Sequence, residues 1–293
     1  MRVRLLAVLS AAALFVLIAM PASATSEGHG YLALGDSVPF GFNPDPSFWA
    51  HPDKLIGYPE LVARQLNIED TNATCPGEAT GGFLSLAGFD NGCQGYRFFL
   101  HEPLHVSYTD TQMAFALAYL RSHPDTRLVT LTLGANDYFH LQHVCGFDPA
   151  CVGAGIPAML ATMGANLNTI LDGIRSTGYT GLIVALTYYS LVYPDTSGAD
   201  LLNGPMIAAA NAHGAFVASG VDAWRTRALT AGGGSTCLAG LRLPPFPPDP
   251  GIDGCDVHPT LLGATLLADA VVSTIASTCP ANSAIGCLNR HQG

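Results

Sequence analysis

Short apolar runs alternate along the chain with longer stretches in which apolar positions recur every three or four residues. Gly30–Leu34 (GYLAL), Arg127–Leu133 (RLVTLTL) and Leu182–Tyr189 (LIVALTYY) are continuous, largely β-branched and aliphatic, and read as strands buried on both faces. Tyr58–Leu66, with Pro59 in its first turn, Asp110–Ser122, Pro157–Ser176, Asp200–Ser219 and Thr260–Ser277 read as helices. Residues 72–107, rich in Gly and Cys, read as loop, and Ala231–Cys255, with PPFPPDPG at its centre, as irregular. Strands separated by helices imply parallel βαβ units, so the expected class is α/β, a mainly parallel sheet with helices on both faces. In such folds ligands sit beyond the C-terminal ends of the strands.

The first residues belong to a different pattern. Arg2 and Arg4 precede an apolar run from Leu5 to Met20, and Ala22-Ser23-Ala24 follows. A charged start, an apolar middle and a small-x-small end make a secretory signal peptide, and the apolar run is short for a bilayer of about 30 Å. The expected mature chain, residues 25–293, shows neither repeat nor linker and reads as a single exported domain, without stable membrane insertion. Losing Arg2 and Arg4 takes the formal charge from −10 to −12. That balance argues against nucleic acid and against attraction to anionic membranes, and is silent about neutral substrates.

All eight cysteines lie in the expected mature part, and an even number in an exported chain reads as disulfides. They fall into four sequential couples, Cys75 with Cys93, Cys145 with Cys151, Cys237 with Cys255 and Cys279 with Cys287, although sequence alone leaves the pairing open. No C-x₂-C couple suggests zinc.

Candidate chemistry gathers at the strand ends. Gly35-Asp36-Ser37 follows the first strand and Gly134-Ala135-Asn136-Asp137 the second, so one site can hold both. Serine needs a base, a group that orients the base, and donors for an oxyanion. His258 precedes Pro259 and the last helix, on a loop close to the strand ends. Taken singly, Ser37 reads as well as a helix cap, Asn136-Asp137 as a strand-ending turn and His258 as a solvated histidine. The elbow G-x-S-x-G of α/β-hydrolases is not met, since the run is Gly35-Asp36-Ser37-Val38-Pro39.

Four short blocks, in order, resemble the SGNH (GDSL) hydrolases: YLALGDSVPFG, Cys75-Pro76-Gly77-Glu78, Gly134-Ala135-Asn136-Asp137 and Asp256-Val257-His258-Pro259. The resemblance spans most of residues 30–277. It implies a three-layer α/β/α sandwich of the flavodoxin-like kind, Ser37 as nucleophile and His258 as base. It further implies an oxyanion hole from the Ser37 and Gly77 N–H groups and Asn136 Nδ2, with no metal or organic cofactor. The family usually orients its histidine with an aspartate three residues earlier, where this chain has Cys255. Asp256, Asp253 or a main-chain carbonyl remain as the orienting group, Asp256 being favoured.

His101-Glu102-Pro103-Leu104-His105 matches the zincin signature H-E-x-x-H, which requires a helix that Pro103 and the glycine-rich flanks oppose. His140 and His143, on the loop expected after Asn136, either line a substrate entrance or sit in a solvated loop, the second being favoured. Phe40, Phe42, Phe48, Trp49 and Phe246 either pack loops or meet an acyl chain. The expected protein is a monomeric, secreted carboxylic-ester hydrolase acting on a small-molecule or lipid ester through a serine acyl-enzyme. The alternatives are a catalytically impaired binding protein of the same fold, a carbohydrate acetyl esterase and a zinc protease.

Overall fold

The computed structural model describes residues 30–278 and Leu288. The expected leader lies outside the described residues. Five parallel strands form one sheet: β1 (Tyr31–Gly35), β2 (Asp70–Asn72), β3 (Leu128–Thr132), β4 (Leu182–Leu186) and β5 (Phe216–Ala218), in the order β2-β1-β3-β4-β5. Nine α-helices are described: α1 (Ser37–Phe40), α2 (Tyr58–Leu66), α3 (Thr80–Leu84), α4 (Gln112–Ser122), α5 (Ala135–Val144), α6 (Pro149–Ser176), α7 (Ser197–Ala212), α8 (Gly220–Gly232) and α9 (Leu261–Ser277).

The three central strands are buried along their whole length, which is why they read as largely apolar runs; the two threonines of β3 are buried too, their hydroxyls bonded to those of Tyr31 and Tyr58. Their side chains still divide between two cores. Tyr31, Ala33, Val184 and Leu186 pack with Tyr58, Val62, Trp224 and Val271 of α2, α8 and α9. Leu32, Leu34, Val129 and Leu131 pack with Met113, Leu167, Ile170 and Met206 of α4, α6 and α7. The result is the three-layer α/β/α sandwich expected, with the strand order of a flavodoxin-like sheet. The direction of strand addition reverses between β1 and β3, so the crevice beyond their ends is the natural binding place.

Several elements depart from expectation: α3 interrupts the expected loop 72–107, α5 replaces the loop expected after Asn136, α8 has no expected counterpart, and three further cases have a visible cause. The helix expected over Asp200–Ser219 stops at Ala212, and β5 and the start of α8 follow. Gly214 takes φ +63°, and the Ala215 N–H bonds the Ala210 carbonyl at 2.8 Å, a Schellman stop that the alanine-rich run concealed. The edge strand β2 is Asp-Thr-Asn, without apolar signal, because only one neighbour pairs with it. Helix α6 begins eight residues before Pro157, with the Asp148 carboxylate accepting the Ala150 N–H at 3.0 Å. Pro157 deprives the Gly153 carbonyl of its partner, and both residues are accessible, so water can serve it. Among the described residues α6 alone is long and apolar enough to cross a membrane; it packs against α7, α5 and α4.

The first three cysteine couples are disulfides, Cys75–Cys93, Cys145–Cys151 and Cys237–Cys255, with Cα–Cα distances of 5.6, 5.6 and 5.7 Å. The fourth expected couple is not among the described disulfides: Cys279 lies outside the described residues, and Cys287 does too. The bridge expected between Cys279 and Cys287 therefore stands as a sequence expectation alone. Cys75–Cys93 sits in a satellite core with Phe40, Leu55, Tyr96 and Leu104, which closes the loop region over the end of β1. The H-E-x-x-H stretch is not helical, and His101 has φ +56°. His105 donates Nε2–H to the Phe40 carbonyl at 3.0 Å, and burial pushes its pKa down, so the imidazole works as a neutral strut.

Candidate active site

The turn after β1 fixes Ser37. Gly35 has φ +136°, and a Cβ there would stand 2.1 Å from the Thr132 carbonyl oxygen, so only glycine lets β1 and β3 approach so closely. The fully buried Gln112 of α4 clasps the same residue: its Oε1 accepts the Gly35 N–H at 2.6 Å and its Nε2 donates to the Gly35 carbonyl at 3.0 Å. Asp36 caps α1, accepting the Val38 N–H at 3.0 Å, and Ser37 becomes the first helical residue. The other Asp36 oxygen accepts a short hydrogen bond from the Tyr188 hydroxyl, which in turn accepts the Ala135 N–H at 3.0 Å. Residues at the ends of β1, β3 and β4 are thereby tied together. Burial pushes the Asp36 pKa up to about 6, against the bond from Tyr188.

Two loops bring polar groups to that turn. Gly77 has φ +79°, and a Cβ on it would lie 2.7 Å from the Asn91 carbonyl oxygen. Its own carbonyl accepts the Asn91 N–H at 2.7 Å. After β3, Gly134 starts α5 at φ +131°, which turns Asn136 and Asp137 to different tasks. Asn136 donates one Nδ2 hydrogen to the Glu78 carbonyl at 2.9 Å, and its Oδ1 accepts from Asn91 Nδ2 at 3.1 Å. Asp137 faces inward and accepts the Thr80 N–H at 3.0 Å and the Thr80 hydroxyl at 2.6 Å, which locks α3 to α5. The Ser37 and Gly77 N–H groups and the second Nδ2 hydrogen of Asn136 have no acceptor among the described residues. All three residues line one cavity, so three unclaimed donors share its wall.

His258 lines the same cavity as Ser37. Its Nδ1 donates to Asp256 Oδ1 at 2.5 Å, and that oxygen also accepts the His258 backbone N–H at 2.8 Å. With Nδ1 carrying the proton, Nε2 of the neutral ring is left as an acceptor. Burial works against ionising Asp256, but the hydrogen bonds it accepts from the His258 ring and backbone outweigh it and hold the carboxyl below the usual carboxylate range. The loop is pinned on several sides. Cys255 is bridged to Cys237, the Tyr189 hydroxyl donates to the Val257 carbonyl at 2.5 Å, and the Leu243 N–H donates to the His258 carbonyl at 2.9 Å. Asp253 is exposed at φ +54° and makes no bond to His258.

The cavity measures about 1140 Å³, and Phe42, Trp49, Phe139, Met159 and Leu202 give it apolar walls. Its rim carries exposed Phe99, Leu100, Val192, Leu201 and Ile252. Phe42, with its ring centroid 4.9 Å from that of His258, and Trp49 are thus at the site. Phe40 is core, Phe48 packs against the satellite core, and Phe246 is exposed away from the cavity. His140 and His143 are on α5 rather than a loop and do not line the cavity; His140 stacks on Phe89 at 4.2 Å. Among the described residues no cluster of His, Cys, Asp and Glu could hold a metal ion.

Residues 31–271 match the GDSL-like lipase/acylhydrolase family. The chain belongs to that family. Lipases and acylhydrolases share ester hydrolysis, which supports this class of chemistry here. The fold is also similar to solved structures. Phospholipase A1 from Streptomyces albidoflavus is 21% identical, with 86% of this chain and 100% of that chain covered and a TM-score of 0.51. A catalytic mutant of the acetylxylan esterase Axe2 from Geobacillus stearothermophilus is 16% identical, with 86% and 95% covered and a TM-score of 0.50. The protein YxiM from Bacillus subtilis is 15% identical with a TM-score of 0.53; 87% of this chain is covered, but the chain spans only 58% of that protein's length. No curated protein matches the sequence.

Proposed function

We propose that this GDSL-family protein is an exported carboxylic-ester hydrolase that works through an acyl-enzyme on Ser37. The observation that carries the reading is the placing of the Asp256–His258 pair and three unclaimed donors around the one cavity that Ser37 lines. His258 Nε2 takes the Ser37 proton as Oγ attacks the ester carbonyl carbon. The developing oxyanion lies among the Ser37 and Gly77 N–H groups and Asn136 Nδ2. His258 returns the proton to the leaving alcohol, and water then releases the acid by the same route. The chemistry calls on no metal or organic cofactor. Residues 25–293 act as one secreted, monomeric domain, and three disulfides fit an oxidising compartment. A fourth bridge, Cys279 with Cys287, completes the set in this reading.

The apolar walls and uncharged, apolar rim favour an ester with a sizeable acyl chain, a lipid or lipid-like small molecule, over a sugar acetate. The rival reading of an inactive binding protein draws on the missing aspartate three residues before His258, and Asp256 at 2.5 Å from Nδ1 weighs against it.

The test is hydrolysis of p-nitrophenyl esters from acetate to palmitate by the oxidised protein, followed by reaction with a fluorophosphonate. The expected result is turnover favouring longer chains, indifference to EDTA, and a single phosphonylated residue, Ser37. No turnover and no labelling, or activity abolished by EDTA, would sink the reading.

Asn136→Ala is expected to lower kcat by roughly 10²–10³ with little change in KM, the effect of losing one oxyanion donor. Asn91→Ala keeps the donor and removes only the bond that steadies Asn136, so steady-state kinetics should show a much smaller loss. Equal losses would assign Asn136 a structural role instead.

A further inference from the structure

The mouth of the cavity carries more exposed apolar surface than binding one ester requires. Phe99 is 82% exposed, and its neighbours Phe98 and Leu100 are exposed as well, three apolar side chains in a row. Val192 after β4, Leu201 on α7 and Ile252 on the loop before His258 are also exposed, and with Phe99 and Leu100 they line the same cavity. Four separate segments of the chain thus bring apolar side chains to one opening. A single exposed leucine is ordinary on a protein surface, but an apolar ring around a cavity that leads to Ser37 marks contact with something apolar.

Charge narrows the partner. Neither lysine nor arginine lines the cavity or its mouth among the described residues, and the charged types present are Asp36 and His258, at the Ser37 end. Just outside, exposed Asp200 and Asp253 are the chain neighbours of Leu201 and Ile252, with Cα atoms about 3.8 Å apart. Without Arg2 and Arg4 the formal charge falls from −10 to −12. An anionic membrane would be repelled by such a surface. A second copy, meeting the same face about a two-fold axis, would set these acids against each other. A zwitterionic headgroup layer has no net charge and presents its ammonium outermost, where carboxylates beside an apolar ring can meet it.

We propose that this apolar rim docks the protein on a surface of zwitterionic phospholipid, so that the cavity opens into the lipid layer and takes its ester from there. The inference rests on the ester-hydrolase reading of the same site and deepens it by naming the form in which substrate is met. Phe99 and Leu201 enter the boundary between headgroups and acyl chains, and the contact is peripheral and reversible.

The test uses the full mature chain carrying Ser37→Ala, which leaves lipid intact, and measures its sedimentation with vesicles of phosphatidylcholine, alone or mixed with phosphatidylglycerol. S37A is expected to bind the first, to bind the mixture more weakly, and to stay bound when salt is raised. On that background Phe99→Ser and Leu201→Ser should each lower the partition coefficient about tenfold, the effect of losing one buried apolar side chain. Phe216→Ser trims an exposed residue of the edge strand β5 that does not line the cavity, and should leave partitioning unchanged. The rim variants should keep the Tm of their parent, since the side chains they trim are exposed. No binding to phosphatidylcholine, binding that grows with phosphatidylglycerol, or an equal loss in F216S overturns the proposal. So does a rim variant that no longer folds, which would make its side chain part of the core. A dimer that either rim substitution dissolves also overturns it, because a second copy then covers the rim. Vesicle binding needs no turnover, so S37A that binds while the wild type hydrolyses no ester would remove the hydrolase reading and leave the docking surface standing.

Discussion

Replacing Ser37 with alanine is expected to lower kcat on a p-nitrophenyl ester by about a million-fold, and His258→Ala by a similar factor. The double variant should be hardly worse than either, because both side chains act on one proton and one bond. Stability should hardly change. The Ser37 hydroxyl has no hydrogen-bond partner among the described residues, and the cap of α1 is the carboxylate of Asp36, which remains. The expected change in unfolding free energy is within about 1 kcal/mol. Single-turnover kinetics on the three proteins, with thermal unfolding as the control, checks this. Multiplying losses would mean that Ser37 and His258 contribute independently, and a stable S37A protein with near wild-type turnover would exclude Ser37 as nucleophile.

The sandwich was legible because its three central strands are buried on both faces and so appear as unbroken apolar runs. The edges were not. β2 is Asp-Thr-Asn, held by backbone pairing to β1 alone, and β5 hides behind an alanine-rich helix whose end depends on Gly214. A strand of three residues beside a helix-favouring run leaves little periodicity to read. Pro157 misled in the opposite sense: proline marks a first turn more often than an interior, yet here an exposed glycine four residues earlier tolerates it. Three of the four cysteine couples were legible from their closeness in sequence, while the couple of Cys279 and Cys287 lies outside the described residues.

Ser37, Asn136 and His258 could be brought to one place because each follows a strand or precedes the last helix within a short motif, whereas Gly77, in a stretch read as loop, entered only through the resemblance of Cys75-Pro76-Gly77-Glu78 to a family block. The residues that hold them were invisible for the converse reason. Gln112 lies in the middle of sequence between two motifs, and only the fold turns its amide toward Gly35. Tyr188 and Tyr189, at the C-terminal side of β4, carried the one available signal: hydroxyls at a strand end on the ligand-binding side of a parallel sheet. The orienting aspartate was open in sequence because spacing cannot reveal a turn in which one Asp256 oxygen accepts from both the backbone and the ring of His258.

That turn makes Asp256→Asn the more informative of the remaining substitutions. Asparagine keeps the size of the side chain and an oxygen for the His258 N–H, so the loop, bridged at Cys255 and tied through Val257 to Tyr189, should keep its shape. What changes is the partner of the ring. A neutral amide can present N–H to Nδ1, which favours the tautomer that has its proton on Nε2 and cannot accept from Ser37. It also supplies no negative charge to the imidazolium formed during attack. The expected loss in kcat is roughly 10⁴-fold with KM little altered, the size of effect seen when a triad aspartate becomes asparagine. Asp253→Asn, on an exposed turn without a bond to His258, should leave kcat within about twofold. Measuring both over the pH range separates the possibilities. A large loss in D256N alone assigns the orienting role to Asp256, and a large loss in D253N alone transfers it to Asp253. Near-normal rates in both would mean that the ring needs no carboxylate, in which case the 2.5 Å contact holds the loop and not the proton.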